Sequence, residues 1–103
     1  MDGRTTVRYI QDYIKRKDYH PELLKDYFLK LSEEVGELRR AMRKGAKAEN
    51  AQEIKGSIDE EVWDVIYYAL TVANALQIDL ERWIPYKEAL NREKYGHTVP
   101  FDP

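Results

Sequence analysis

Two stretches of the chain, Glu33-Glu34-Val35-Gly36-Glu37 and Asp59-Glu60-Glu61-Val62-Trp63-Asp64, concentrate carboxylates at a spacing that suits metal binding. Each contains an acidic pair three residues apart: Glu34 with Glu37, and Glu61 with Asp64. On a helix such a pair lies on one face with Cβ atoms roughly 5–6 Å apart, close enough for like charges to repel. Taken singly, an acidic run on a helix is usually a solvated face. Position argues otherwise here, because Glu34 falls between Leu31 and Leu38 and Asp64 directly precedes Val65 and Ile66, so both border an apolar stripe. Four carboxylates converging between packed helices stay ionised only if a cation neutralises them, and all-oxygen donors favour Mg²⁺, Ca²⁺ or Mn²⁺. Gly36 adds to this. A glycine inside a helix costs about 1 kcal/mol relative to alanine and marks either simple packing or the close approach of a backbone or ligand.

Other metal chemistries fit less well. A di-iron bundle needs two Glu-x-x-His pairs, and neither His20 nor His97 follows a glutamate at that spacing. Zinc lacks its usual His and Cys donors, since the chain has no cysteine. No segment resembles the D-x-D-x-D-G calcium loop.

The periodicity that must position these acids is helical throughout. Val7, Ile10, Tyr13 and Ile14 follow the possible caps Thr5 and Thr6 and predict a first helix ending near Lys17. Pro21 suits the first turn of a second, long helix, whose apolar positions run from Leu23 to Met42 before the stop at Gly45. A third helix from about Ile58 carries Val62, Val65, Ile66, Ala69, Leu70, Ala73 and Leu76, a face broad enough to predict a central element covered on more than one side. Asp79 is placed to cap a fourth helix that ends at Gly96, which Pro85 is expected to kink or divide. The remaining HTVPFDP reads as an extended arm or as disorder.

At 103 residues the chain is expected to form one domain with a single core. Without disulfides, a helical domain of this size gains much from pairing with a copy of itself. Lys and Arg number 17 against 19 Asp and Glu, so no global charge draws the chain to nucleic acid or to an anionic membrane. No stretch approaches the roughly 18 apolar residues of a membrane span, and the first residues lack a secretory core. A cytoplasmic protein is the expectation.

The string Glu33-Glu34-x-x-Glu37, a loop, then Glu61-x-x-Asp64 resembles the paired motifs of the all-α nucleotide pyrophosphohydrolases. That superfamily includes MazG-like enzymes, dimeric dUTPases, dCTP pyrophosphatases and phosphoribosyl-ATP pyrophosphohydrolase. Ile78-Asp79-Leu80 follows at the expected distance, and Lys87-x-x-x-Asn91-x-x-Lys94-Tyr95 is similar to the C-terminal signature of the MazG-like and dCTP pyrophosphatase branches. The resemblance covers roughly residues 31–95. It implies an all-α MazG-like bundle of four to five helices completed by oligomerisation, with residues 1–95 as the domain and 96–103 as a tail.

The same resemblance implies hydrolysis of a nucleoside triphosphate between the α and β phosphates, dependent on Mg²⁺ with Mn²⁺ as a substitute. Glu34, Glu37, Glu61 and Asp64 would be the metal ligands, and Glu33 an extra ligand or the base that orients water. Tyr68 falls where related enzymes place a nucleotide-contacting tyrosine. Lys87, Asn91 and Lys94 share one helical face suited to phosphate oxygens, and Tyr95 would hold substrate or cap the core. The expected assembly is a homodimer or homotetramer. The chain departs upstream, where the dCTP pyrophosphatase pattern Arg-Asp-Trp before His and Pro is replaced by Arg16-Lys17-Asp18-Tyr19-His20-Pro21. The base-stacking tryptophan is absent, which leaves the preferred base open. The alternatives are a phosphoribosyl-ATP enzyme, which the Lys87 to Tyr95 string opposes, and a non-catalytic helical partner, which the complete acidic boxes oppose.

Overall fold

A computed structural model describes residues 1, 3–96 and 98–102. It contains helices α1 (Val7–Lys17), α2 (Leu24–Lys44), α3 (Ile58–Ala75) and α4 (Leu80–Tyr95), with short 3₁₀ turns at Pro21–Leu23 and Ala51–Glu53 and no strand among the described residues. The all-α expectation holds, and the helix limits follow local chemistry. The Thr6 hydroxyl accepts from the Tyr9 N–H at the start of α1. Ser57 accepts from the Glu60 N–H at the start of α3, and Asp79 accepts from the Glu81 N–H at the start of α4. Each satisfies a donor that has no partner inside the helix. Gly45 ends α2 at φ 63°, a left-handed conformation that glycine adopts without a Cβ penalty.

One detail differs from the sequence expectation, and another narrows it. Pro21 opens a 3₁₀ turn rather than α2 itself, and α2 begins at Leu24. Pro85 neither ends nor divides α4, which runs through it. The proline lies in the second turn, where it removes one hydrogen bond, and it is exposed, so water can reach the carbonyl that lost its donor.

α2 and α3 form the principal pair, α1 lies across α3, and α4 packs chiefly on α1. Among the described residues, Ile14, Tyr27, Ala41, Leu70 and Ala73 are the buried apolar ones. A polar clasp joins α1 to the end of α3. The Gln11 side-chain amide donates to Asn74 Oδ1 at 3.0 Å and to the Ile78 carbonyl at 2.9 Å, and Asn74 Nδ2 donates to the Gln11 carbonyl at 2.9 Å. Gln11 Oε1 accepts from the Leu80 N–H, so the same glutamine also secures the start of α4. Arg8 reinforces that junction through an ion pair with Asp79 at 3.0 Å.

α3 is central, as its apolar breadth predicts, but the chain covers only part of it. Leu70 and Ala73 are buried, whereas Val62, Trp63, Ile66 and Leu76 stay exposed. The described tail residues 98–102 have no regular structure, and Val99, Pro100 and Phe101 border a small cavity with Glu88 and Arg92 of α4. These tail residues thus lie near α4; His97 and Pro103 fall outside the described residues.

Candidate metal centre

The two acidic boxes face each other because α2 and α3 pack side by side, and that packing sorts their carboxylates. Glu34, Glu61 and Asp64 converge, with one carboxylate oxygen from each lying within 4.8 Å of the others. Glu34 is the inward member of its box, its side chain only 13% exposed. Glu33 points outward at 66% exposure and pairs with Lys30 at 3.6 Å. Glu37 is turned to the Arg40 guanidinium, so it stands outside the three-carboxylate group.

The second box divides in the same way. The Asp59 carboxylate accepts from the Ala48 N–H at 2.7 Å, and Glu60 accepts from the Gly56 N–H at 2.8 Å. Both secure the loop that precedes α3. Glu61 and Asp64, one turn apart, remain to face Glu34.

Glu61 is buried, and its Oε2 has no hydrogen-bond partner. Burial first, and then the neighbouring Glu34 and Asp64 carboxyls, push its pKa up to about 7. Burial likewise raises Asp64, helped by Glu34 and Glu60, while Lys30 acts in the opposite direction. Two acids raised by burial and by neighbouring carboxylates, with the Glu34 carboxylate beside them and an orphaned buried oxygen among them, suit a divalent cation bound through oxygen. The residues therefore fit the ion that the sequence implies.

A model of the MazG nucleotide pyrophosphohydrolase domain matches residues 23–95. The chain belongs to this family. Crystal structures of iMazG from Vibrio DAT 722 are similar MazG folds. One covers 90% of this chain and all of its own at 42% identity with a TM-score of 0.82, and another covers 85% and 99% at 43% identity with a TM-score of 0.81. The protein YpjD of Bacillus subtilis (strain 168) is 43% identical over 54 residues, and this match spans about half of each chain. The MazG match contains both acidic boxes and the whole Lys87 to Tyr95 string.

The other residues singled out in this MazG chain are more dispersed. Tyr68 is half-buried one turn beyond Asp64; burial raises its pKa, and both Lys30 and Glu34 act on it electrostatically, so it borders the cluster. Lys87, Lys94 and Tyr95 are exposed on α4 and Asn91 is half-buried there, on the helix that packs chiefly on α1 rather than on the pair carrying the acids. Tyr19 lies under the Lys15 ammonium, 4.6 Å from the ring centre. Beyond its chain neighbours and its own helix backbone, Gly36 has no atom within 4 Å of where a Cβ would stand, so close packing against another element does not explain it. Lys30, a residue without a motif of its own, reaches Glu34 Oε1 at 3.7 Å. Its signal was the i, i+4 lysine-to-glutamate spacing, common enough on exposed helices to carry no weight alone.

Proposed function

We propose that the chain is a Mg²⁺-dependent nucleoside triphosphate pyrophosphohydrolase that cleaves the α–β phosphate bond, yielding the monophosphate and pyrophosphate. The observation that carries this reading is the meeting of Glu34, Glu61 and Asp64 around an unpartnered buried carboxylate oxygen. Those three residues would hold the ion, with Glu37 as a fourth ligand were its side chain to leave Arg40. When bound, Mg²⁺ neutralises phosphate charge and activates water for in-line attack on phosphorus. Glu33 would serve as the base that orients water, once free of Lys30. Tyr68 contacts the nucleotide from α3, and Lys87, Asn91, Lys94 and Tyr95 supply further substrate contacts from α4.

The working form is a homo-oligomer, dimer or tetramer. The single chain exposes 8201 Å², against about 6,100 Å² expected for a compact monomer of its mass. Its radius of gyration is 15.9 Å, against about 13 Å expected for this length. The uncovered apolar side chains include Phe28, Leu29 and Leu76, which border one open groove, and Trp63 and Tyr9, which border another. A second copy of the chain is the occupant that recovers this area. A monomeric mass by light scattering at micromolar concentration would overturn the oligomer.

The test of function is a panel of canonical and modified nucleoside triphosphates with Mg²⁺, with and without chelator, following monophosphate and pyrophosphate by chromatography. Metal-dependent pyrophosphate release is the expected result. Silence across the panel, followed by turnover of phosphoribosyl-ATP, would transfer the same chemistry to that substrate. Silence with both would leave a helical partner protein without catalysis.

A further inference from the structure

Lys30 sits on α2 one turn before Glu34, with its ammonium 3.7 Å from Glu34 Oε1 and 3.6 Å from Glu33 Oε2. It also interacts electrostatically with Asp64 and Tyr68 on α3. One cation therefore pairs with the first acidic box, and its charge also acts on Asp64 and Tyr68 across the helix pair.

The two ends of this contact differ in freedom. The Lys30 side chain is 46% exposed, whereas that of Glu34 is largely covered. At 3.7 Å the pair is an ion pair without a formed hydrogen bond, and half-exposed pairs of this kind contribute little to stability. The lysine head is a compact charge on a flexible stem, so it can leave Glu34 at small cost. A divalent cation among Glu34, Glu61 and Asp64 would take over the charge of Glu34 and repel the ammonium. A nucleotide polyphosphate carries more negative charge than one such ion neutralises, and its oxygens would lie beside the ion, within reach of a lysine anchored one turn away.

We propose that Lys30 is a substrate-positioning residue that exchanges partners, held by Glu33 and Glu34 before ion and nucleotide arrive and by the phosphate chain afterwards. This rests on the pyrophosphohydrolase reading and assigns the residue that receives the polyphosphate at the ion. It also separates two effects that a plain structural brace would join. Removing the ammonium should help the ion, because a competing cation is gone, and harm the phosphate, because its partner is gone.

The experiment uses full-length wild type, K30Q and K30R, first checked for equal helicity by circular dichroism. Calorimetry measures Mn²⁺ alone, then inorganic pyrophosphate in saturating Mg²⁺, and steady-state assays give KM and kcat. K30Q is expected to bind Mn²⁺ at least as tightly as wild type, to bind pyrophosphate about tenfold more weakly and to raise KM similarly. K30R should recover most of the loss. Weaker Mn²⁺ binding in K30Q would make Lys30 a brace for Glu34 and overturn the proposal, as would unchanged pyrophosphate binding. Failure of wild type to bind magnesium pyrophosphate would overturn it too. If wild type binds magnesium pyrophosphate but hydrolyses no nucleotide, the enzymatic reading fails while the calorimetric comparison still decides the role of Lys30.

Discussion

Glu34 on α2 and Glu61 on α3 bring carboxylate oxygens within 4.8 Å of each other, and the Glu61 side chain is the more deeply buried of the two. Two carboxylates so placed oppose each other's ionisation, so the ion-free chain carries a strain, greatest at alkaline pH, that a bound cation would relieve. Its consequences are measurable without a substrate.

Replacing Glu61 by Gln keeps the shape and removes the buried charge. The ion-free protein is expected to become more stable, by on the order of 2–3 kcal/mol at alkaline pH, while Mg²⁺ binding and turnover fall at least about 100-fold. Thermal melts, calorimetry and pyrophosphate release check the three effects. A variant less stable than wild type with Mg²⁺ binding intact would remove Glu61 from the centre.

The pH dependence of ion-free stability has a definite sign. Glu61 has an ordinary value of 4.5 and is raised to about 7 in the folded chain, so folding strengthens its hold on a proton. Its contribution to stability is fully present below the lower value and is lost as pH rises through the upper one. Asp64, also raised by burial, acts in the same direction. The Tm of the ion-free protein should therefore fall between about pH 5 and pH 8, flatten in saturating Mg²⁺, and lose most of its slope in Glu61→Gln. A Tm that climbs through that interval without metal would contradict the assignment.

Asp64→Asn and Glu37→Gln are both expected to fold and to retain little activity, because each deletes a ligand charge at nearly constant volume. They should differ in stability. Asp64→Asn relieves repulsion inside the cluster, whereas Glu37→Gln only weakens an exposed pair with Arg40 and should change stability by less than about 1 kcal/mol. Full activity in either variant would sink the four-ligand site.

Gln77 adopts φ 58°, the one left-handed non-glycine among the described residues. It terminates α3 in a Schellman arrangement, with its N–H donating to the Asn74 carbonyl and the Ile78 N–H to the Ala73 carbonyl. Gln77→Gly should stabilise the chain by about 1 kcal/mol, read as a higher Tm with unchanged activity. Nearby, Asn74→Ala should cost about 2–3 kcal/mol, since it leaves the buried Gln11 amide short of a partner. Equal Tm values for wild type and Asn74→Ala would show the clasp to be dispensable.

Much of this was legible in the linear chain. The period of apolar residues placed all four helices, and caps at Thr6 and Asp79 and stops at Gly45 and Gly96 located their ends, because each depends on chemistry within a few residues. The i, i+3 acidic pairs could be read for the same reason: helical geometry alone puts both members on one face. What sequence left undecided depends on contacts between segments or on the surroundings of one side chain. Pro85 is tolerated because it stands exposed in the second turn of α4. Glu34 meets Glu61 and Asp64 because α2 packs against α3, while Glu37 in the same box turns to Arg40 and Glu60 in the other secures the loop. Lys30 carried no distinguishing mark until that packing placed its ammonium beside the cluster. Local spacing determines which side chains share a face, and only the crossing of two helices decides which of them meet.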